Sequence, residues 1–477
     1  MRVEFVAVMS IYASIGTLLA LLSRRYFTGT FRDYYTASGR VGGLISFGTY
    51  AATTYSAFMM IGLVGLTHAT GVGAYGFELV YLASTMVLLA TVGYNIWKLS
   101  KGRSWISPAQ MIGDLYQSRA LALATTGVYL FAMIPYLAAQ VLGLKAIFHY
   151  GGLSELEALL VSTVLIYLWI FVAGMWSVAL TDLYQGLIML FSGLAYLAWV
   201  VFFAGSLGVS VHEIFALVSE KGYLGITEFW SLPVFLAYTI PWAFFAITNP
   251  QVVIRLYLPK DYKAYRRSTV FFFFYGFLYT LIVVLVGLFA AGLTLKNGIP
   301  ADVTRDRLTP YLLSLMNPWL GSLVAVSIIA AAVSTSNSIV LAVSGSVVSS
   351  INIRERLVIA RLIDLVLVSA AGVVAYFNPG FIVEMSVLTS VILLPLAPIT
   401  IVGVYWSTRI SRLTKVTGLA SLIVGALFAS ACAVVLGPRR TFVGVIWGMP
   451  ISAWTLLIST TILLAGYAVD IARTLKQ

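Results

Sequence analysis

The chain has 477 residues, of which 60% are hydrophobic and only 10% are charged, with a formal net charge of +12. A soluble protein carries about a quarter of its residues as charged side chains. The composition therefore excludes a soluble protein of this size and indicates one that crosses a membrane many times. The single cysteine, Cys432, excludes intramolecular disulfides and cysteine-based metal sites.

Thirteen apolar segments are long enough to cross a bilayer, which takes about 20 residues. We predict spans at 4–23, 43–68, 75–97, 120–148, 155–175, 179–206, 232–255, 268–294, 318–350, 356–377, 380–407, 414–436 and 446–470. Almost nothing remains for a soluble domain, so residues 1–477 are predicted to form a single transmembrane domain. The two longest loops, 207–231 and 295–317, are expected to form short surface helices over an outer vestibule.

The 29 lysine and arginine residues lie mostly in the loops that follow spans 1, 3, 7, 9 and 11. This distribution follows the positive-inside rule. It predicts a plasma-membrane protein with its N-terminus outside and its C-terminus in the cytoplasm. The positive charge then needs no nucleic-acid partner, and nothing in the sequence indicates an obligatory protein partner.

Two spans are interrupted by polar residues or proline. Span 2 has Thr53-Thr54-Tyr55-Ser56 at its centre, and span 7 contains Pro241 and, near its end, Asn249-Pro250. Interrupted helices are tolerated at membrane depth where they line a cavity, and proline kinks a helix. Two such helices five spans apart predict an inverted repeat, with halves at 43–206 and 232–407. The helix at 4–23 precedes this core, and two helices at 414–470 follow it.

Span 9 contains the stretch SIIAAAVSTSNSIVLAVSG, residues 327–345. Ala331, Ser334, Thr335 and Ser338 recur at steps of three and four, so they share one helix face, with Asn337 beside it. One interpretation is a small-residue stripe for close helix packing, with hydroxyls bonded to their own helix. The other is a cation site, because hydroxyl and carbonyl oxygens can replace the water around a small hard ion.

Asp182 lies where span 6 is predicted to begin. It is interpreted either as a carboxylate at a helix N-terminus or as a cation ligand within the membrane. Glu78 lies near a span end, where a structural role and a functional carboxylate both remain open. Pro135-Tyr136 and Pro241-Trp242 place an aromatic residue at a kink, where a helix opens toward a cavity.

Several segments together resemble the sodium:solute symporter family. They are 39–65, 134–147, 174–186 (GMWSVALTDLYQG), 241–257 and 317–344, in consistent order over about 40–405. The resemblance implies an all-α, leucine-transporter-like fold with a 5+5 inverted repeat. It also implies sodium as the coupling ion, bound by the hydroxyls of Ser334 and Thr335 and by the backbone carbonyls of Ala331, Ala52 and Tyr55.

The resemblance also offers a second sodium site, formed by Asp182, Asn337 and Ser338, which some family members have. Asn337 stands where such members have a serine. The implied substrate cavity contains Thr54, Ser56, Tyr136, Gln140 and Trp242. Thr54 replaces an aspartate of the proline symporter, so the partner for a substrate amine is absent there. No arginine is expected in the cavity, so a substrate carboxylate would bind the N–H groups of the half-helix near Ser56.

We therefore expect no enzyme but a sodium-coupled symporter that imports a small organic solute, a carboxylate or an amino acid, by alternating access. The alternatives are a proton-coupled or sodium-independent carrier of the same fold, or a sugar as substrate. A membrane-embedded enzyme would need a catalytic histidine, carboxylate pair or metal cluster, and a sensor would need a long cytoplasmic signalling tail. The sequence indicates neither.

Overall fold

The computed structural model describes residues 2–351, 357–377, 382–437, 441 and 443–474, and these are almost entirely helical. The helices of the first half are α1 (Val3–Ser23), α2 (Phe31–Thr36), α3 (Gly43–Thr54), α4 (Val64–Thr70), α5 (Gly73–Leu88), α6 (Tyr94–Gly102), α7 (Pro108–Leu115), α8 (Arg119–Tyr150), α9 (Glu155–Ala173) and α10 (Met175–Ser206). A π-helical turn, Phe58–Leu63, joins α3 to α4, and a second one, Leu89–Gly93, joins α5 to α6.

The second half begins with α11 (Val211–Glu220), α12 (Leu232–Ala243), α13 (Phe245–Thr248), α14 (Pro250–Val253) and the 3₁₀ turn Ile254–Tyr257. It continues with α15 (Tyr262–Leu295), α16 (Arg305–Leu315), α17 (Pro318–Ser350), α18 (Leu357–Phe377), α19 (Ile382–Leu393), α20 (Leu396–Trp406), α21 (Arg412–Leu436) and α22 (Ile451–Thr474). A two-stranded hairpin, β1 (Val445–Ile446) with β2 (Met449–Pro450), precedes α22.

Nine helices in the described parts of the chain are long and apolar enough to cross a membrane, and two bent pairs could each form one more span. One pair is Gly43–Thr54 with Phe58–Thr70, bent by 49°, and the other is Ile382–Leu393 with Leu396–Arg409, bent by 45°. The remaining predicted spans, 155–175 and 232–255, correspond to α9 and to the broken series α12–α14. The multi-spanning all-helical architecture is confirmed, and the total of thirteen spans stays a prediction.

The predicted interruption of span 2 is confirmed, because α3 ends at Thr54 and Tyr55 is extended (φ −92°, ψ 103°). Span 7 is also broken, not at Pro241 but at Phe244 and again at Asn249, directly before Pro250. Helix α12 continues through Pro241 to Ala243, and the chain is extended again at Asn249. The bend in span 11, near Pro395, was not anticipated from the sequence.

Helix α17 is the centre of the molecule, since it is buried over nearly its whole length and packs against α3, α8 and α10. Helices α3 and α10 approach each other closely at Gly48. A Cβ atom at this position would lie 2.5–2.7 Å from atoms of Leu183. The small side chain therefore lets the backbones of these two helices meet beside the polar residues that follow on each of them.

The predicted surface helices are present as α11 and α16. Helix α16 lies directly on the part of span 2 that follows the break, where the Thr309 hydroxyl donates a hydrogen bond of 2.6 Å to the Met60 carbonyl. Its first turn contacts α19 through the ion pair of Arg305 with Glu384, at 3.0 Å, and through the Asp306 carboxylate, which accepts the Ile382 N–H at 3.0 Å. Helix α16 thus covers the part of span 2 that follows the break.

Candidate functional site

The break in span 2 redirects three backbone donors away from the helix axis. The N–H of Ala57 donates to the side-chain Oε1 of Gln140 at 3.3 Å, and the N–H of Phe58 donates to the Ser56 hydroxyl at 3.2 Å. The N–H of Met59 donates to the Ser56 carbonyl at 3.0 Å. In a continuous helix these donors would bond the carbonyls four residues earlier, at Thr53, Thr54 and Tyr55. The break therefore frees backbone oxygens at mid-membrane.

Two hydroxyls of α17 reach these oxygens. Ser334 Oγ lies 2.8 Å from the carbonyl oxygen of Ala52 and 3.0 Å from that of Ala331. Thr335 Oγ1 lies 3.1 Å from the carbonyl oxygen of Thr53 and 3.4 Å from that of Ala52. Each hydroxyl has one proton and donates to one of these carbonyls at a time. Spans 2 and 9 thus meet through oxygens that belong to the break.

Four of the five oxygens predicted to bind sodium are brought within hydrogen-bonding distance of a neighbour in the set: those of Ala52, Ala331, Ser334 and Thr335. The fifth, the carbonyl of Tyr55, is one of the oxygens that the break frees. All five are oxygens, the ligand type that hard cations prefer, and none of them carries a formal charge. The donor set therefore fits a monovalent ion that needs no formal charge opposite it.

The hydroxyl of Ser336, on the same helix, has the hydrogen bond expected of a residue that serves only in helix packing. It is fully buried, and it donates 2.7 Å to the carbonyl of Ala332, four residues back in its own helix. Ser334 and Thr335 instead bond across to α3, 282 residues away. These two hydroxyls thus lie at the break, as a cation site would require, but hydrogen bonds between helices also occur in close packing, so both interpretations of the stretch remain open.

Asp182 does not lie at a helix N-terminus, because α10 begins at Met175, about two turns before it. The interpretation of Asp182 as a carboxylate at a helix N-terminus is therefore wrong. Its side chain is fully buried and lies against α3. Oδ2 accepts a hydrogen bond of 2.6 Å from the Thr49 hydroxyl, and it lies 3.5 Å from Nη2 of Arg255. The interpretation of Asp182 as a ligand of a bound cation stays a prediction, and the positive group beside it in the structure is the guanidinium of Arg255.

Arg255, which the sequence analysis missed, is among the largest fully buried side chains of the described chain. It lies in the 3₁₀ turn Ile254–Tyr257, just after the broken part of span 7. Its Nε donates to the Thr49 hydroxyl at 3.3 Å, and its Nη2 donates to the Ser338 hydroxyl. The available signal was the apolar run VVIRLYL around it, because an arginine there must be paired if it does not reach water.

Ser338 makes every hydrogen bond that a hydroxyl can make. It donates to the carbonyl of Ser334 at 2.7 Å, lies 2.7 Å from the Thr53 hydroxyl and accepts from Arg255. Asn337 is fully buried, and within the described ranges neither of its amide atoms has a hydrogen-bond partner. The structure therefore brings Asp182 and Ser338 together around Arg255, and it does not link Asn337 to either.

The residues of the predicted substrate cavity gather beside the break. Gln140 bonds the Ala57 N–H, and its Nε2 lies 3.5 Å from the Tyr136 carbonyl. The hydroxyls of Tyr136 and Ser56 are neighbours. The two N–H groups that open the half-helix, those of Ala57 and Phe58, already have side-chain partners. A substrate carboxylate would have to displace Gln140 or Ser56 to use them.

Trp242 closes this region from span 7. Its ring lies 5.2 Å from that of Phe58 and stacks on Phe245 at 5.0 Å. Its indole N–H, the Thr54 hydroxyl and Oε1 of Glu78 are buried and lack a hydrogen-bond partner among the described residues. Buried polar atoms are normally satisfied, so three unsatisfied ones around the break indicate a site for a polar guest.

Glu78 is closer to this site than its position in the sequence suggested. It lies in the second turn of α5, is 2% exposed and is in electrostatic range of Tyr55, Tyr81 and Tyr136. The ring of Tyr81 in turn lies 5.4 Å from that of Trp242. The carboxyl group of Glu78 therefore offers an unsatisfied oxygen to a polar group beside the break.

Broken helices that meet beside carbonyls outside the helical hydrogen-bond pattern, next to an aromatic-lined polar site, are typical of secondary transporters. Residues 34–425 match the pattern of the sodium:solute symporter family, and the chain belongs to that family. The sodium/pantothenate symporter of Escherichia coli (strain K12) is 25% identical over 441 residues, which cover 86% of each chain. The sodium/proline symporter of the same strain is 22% identical over 440 residues, covering 84% of this chain and 82% of the relative.

The fold is similar to that of a sodium-coupled sialic acid symporter solved in a substrate-bound, outward-open state. The TM-score is 0.80 at 17% sequence identity, over 99% of this chain and 98% of the other. The expected all-α, leucine-transporter-like fold is confirmed by this likeness. The family membership expected from the sequence motifs is confirmed as well.

Proposed function

We propose that this protein is a sodium-coupled symporter that imports a small organic solute by alternating access. The observation that carries the proposal is the contact of Ser334 and Thr335 on α17 with the carbonyls of Ala52 and Thr53 at the break in α3. Sodium, as a transported co-substrate, would bind the oxygens of Ala52, Tyr55, Ala331, Ser334 and Thr335. The cation would pull its ligands on two helices together.

Coupling between sodium and solute follows from the position of this site in the contact between α3 and α17, which we call the seam. An ion whose ligands come from both sides binds well only when the seam is closed, so it shifts the protein toward that arrangement. The same closed seam fixes the break in span 2, which forms one wall of the substrate cavity. Sodium binding and substrate binding would therefore favour the same arrangement, and separation of α3 from α17 would release both.

We place the substrate between Thr54, Ser56, Tyr136, Gln140 and Trp242. A carboxylate or an amino acid remains the proposed class, and the relatives named for pantothenate and proline are compatible with it. Glu78 adds a requirement that the sequence did not suggest. A buried carboxyl group beside the cavity favours a solute that also carries a hydrogen-bonding group, such as an amide or a hydroxyl, in addition to a carboxylate.

The proposed environment is the plasma membrane, with the N-terminus outside and the C-terminus in the cytoplasm, as the distribution of basic loops predicts. In this orientation α16 covers the outer half of span 2. The turn Ile254–Tyr257 and the loop after it then face the cytoplasmic side. Import would use the inward sodium gradient.

The direct experiment has two stages. Thermal stability of the purified protein is first measured against small carboxylates, amino acids and sugars, each in sodium and in potassium, to identify a stabilising solute. Uptake of that solute into proteoliposomes is then measured with an inward sodium gradient, an inward proton gradient, or neither. Uptake driven by sodium supports the proposal. Uptake that is equal with and without the sodium gradient, or driven only by protons, would remove sodium from the mechanism.

A further inference from the structure

The predicted second sodium site does not fit an ion, because a side chain of the protein occupies its oxygens. Arg255 Nη2 lies 3.5 Å from Oδ2 of Asp182 and donates to the hydroxyl of Ser338. That hydroxyl also interacts with Thr53 and Ser334, so it has no lone pair left for a metal ion. A sodium ion beside the guanidinium would meet a like charge in a buried setting.

Arg255 belongs to the same side of the seam as the broken helix α3. Backbone hydrogen bonds join the strand-like segments that flank both elements: the N–H of Val41 donates to Leu258 at 3.0 Å, and the N–H of Lys260 donates to Val41 at 2.9 Å. Nε of Arg255 also donates to Thr49 of α3. Asp182 and Ser338, in contrast, lie on α10 and α17. The guanidinium therefore reaches across the seam that the proposed sodium site also straddles.

We propose that Arg255 is a permanently attached cation at the place of a second sodium ion, so that this symporter moves one sodium ion, not two, with each solute molecule. The inference rests on the proposed sodium coupling and deepens it. Two positive charges hold the seam closed, one bound at Ala52, Ser334 and Thr335 and the other carried by Arg255. Only the first can leave, because the second is covalently part of the chain.

The distribution of charged groups supports one releasable sodium ion and one fixed cation. The proposed sodium site is made of neutral oxygens, whereas Asp182 is the carboxylate at the seam and is already neutralised by Arg255. A buried ion pair in the membrane is tolerated because each charge has its partner, and removing one partner leaves the other uncompensated. An Asp182 carboxylate without Arg255 would therefore take up a proton or another cation, and the Thr49, Thr53 and Ser338 hydroxyls would complete the ligand set of a sodium ion.

The test counts sodium ions. The flux ratio of ²²Na⁺ to solute is measured in proteoliposomes, and equilibrium ²²Na⁺ binding is measured on the purified protein. We expect about one ion per solute molecule and one bound ion per protein. A ratio of two in the native protein would overturn the inference and leave sodium coupling intact. The complete absence of sodium binding would instead contradict the proposed function.

Sodium counts in variants of Arg255 show whether the guanidinium takes the place of a sodium ion or has only a structural role. Arg255→Ala should raise bound sodium from about one ion per protein to two, and Arg255→Ala with Asp182→Asn should return it to one. Arg255→Lys, which keeps the charge, should remain at one. If Arg255→Ala binds a single ion although it is folded, the inference is wrong. If that variant does not fold, the flux ratio of the native protein and the ion count of Arg255→Lys still decide the question.

Discussion

The hydroxyl of Ser334 lies 2.8 Å from the carbonyl oxygen of Ala52, although 282 residues separate the two along the chain. This contact joins α17, a helix that is buried over nearly its whole length, to the break that follows α3. Neither residue is charged, and neither one alone indicates a binding site. Their meeting is what turns a hydroxyl-rich helix face and an interrupted span into one oxygen-lined site.

Trp242 is predicted to contact the solute. Trp242→Ala removes the ring that lies on Phe58 and Phe245 and a buried N–H that has no partner among the described residues. We expect KM for the solute to rise at least about tenfold, which corresponds to about 1.4 kcal/mol, with ²²Na⁺ binding nearly unchanged. Trp199→Ala is the control, because Trp199 stacks on Phe203 of its own helix, far along α10 from the break. An equal KM effect in both variants would contradict the assignment.

Gly65 is predicted to be required for the packing of α16 on the part of span 2 that follows the break. A Cβ atom there would lie 2.2 Å from the carbonyl oxygen of Arg305 in the first turn of α16. Gly65→Ala should therefore push α16 away from span 2 and speed hydrogen exchange in 305–315. Gly127→Ala, which meets nothing within 4 Å, should leave that exchange unchanged. Unchanged hydrogen-exchange protection of 305–315 in the Gly65 variant would show that α16 does not pack against Gly65.

Asp33 is predicted to stabilise the loop between α1 and α3 in a pH-dependent way. Burial alone would raise its pKa, but hydrogen bonds from the Thr28 N–H (2.6 Å), Arg40 (2.8 Å) and Trp176 (3.2 Å) outweigh burial, and the pKa is lowered. A carboxyl with a lowered pKa in the folded state adds stability above its unfolded pKa of about 3.9, and that stability is lost as pH falls through the folded value.

Asp33→Asn should reduce stability at neutral pH by about 1.5–3 kcal/mol, the range for hydrogen bonds to a charged group. The difference from the native protein should shrink as the pH falls below about 4. Thermal unfolding in detergent between pH 3 and 7 measures both effects. The exposed Asp302→Asn is the control and should match the native protein throughout. A difference for Asp33→Asn that grows toward acid pH would contradict the assigned sign.

The sequence predicted helices well where composition alone determines them. It places span 9 at 318–350, and α17 runs from Pro318 to Ser350, because Asn317-Pro318 supplies a strong start and no proline follows within the helix. The break in span 2 was also predictable, since four polar residues interrupt an apolar run. The bend of span 11 was missed, although Pro395 inside that apolar run is itself a signal for a kink.

Arg255 marks the limit of the sequence analysis. An arginine near a span end normally extends its side chain to the interface, and the apolar run around Arg255 does not identify its partners. Its burial depends on Asp182 and Ser338, which are distant in the chain and become neighbours only when α10 and α17 pack. Glu78 is similar, because only the packing of α5 on spans 2 and 7 brings it to the cavity.

Equilibrium binding of ²²Na⁺ to the purified protein tests the central claim most directly. The double variant Ser334→Ala, Thr335→Ala removes both hydroxyls that α17 directs at the break, and it should raise the half-saturating sodium concentration at least about tenfold, or about 1.4 kcal/mol. Ser336→Ala removes an equally buried hydroxyl of α17 that bonds only to its own helix, and it should bind sodium like the native protein. Native affinity in the folded double variant would contradict a sodium site between α3 and α17.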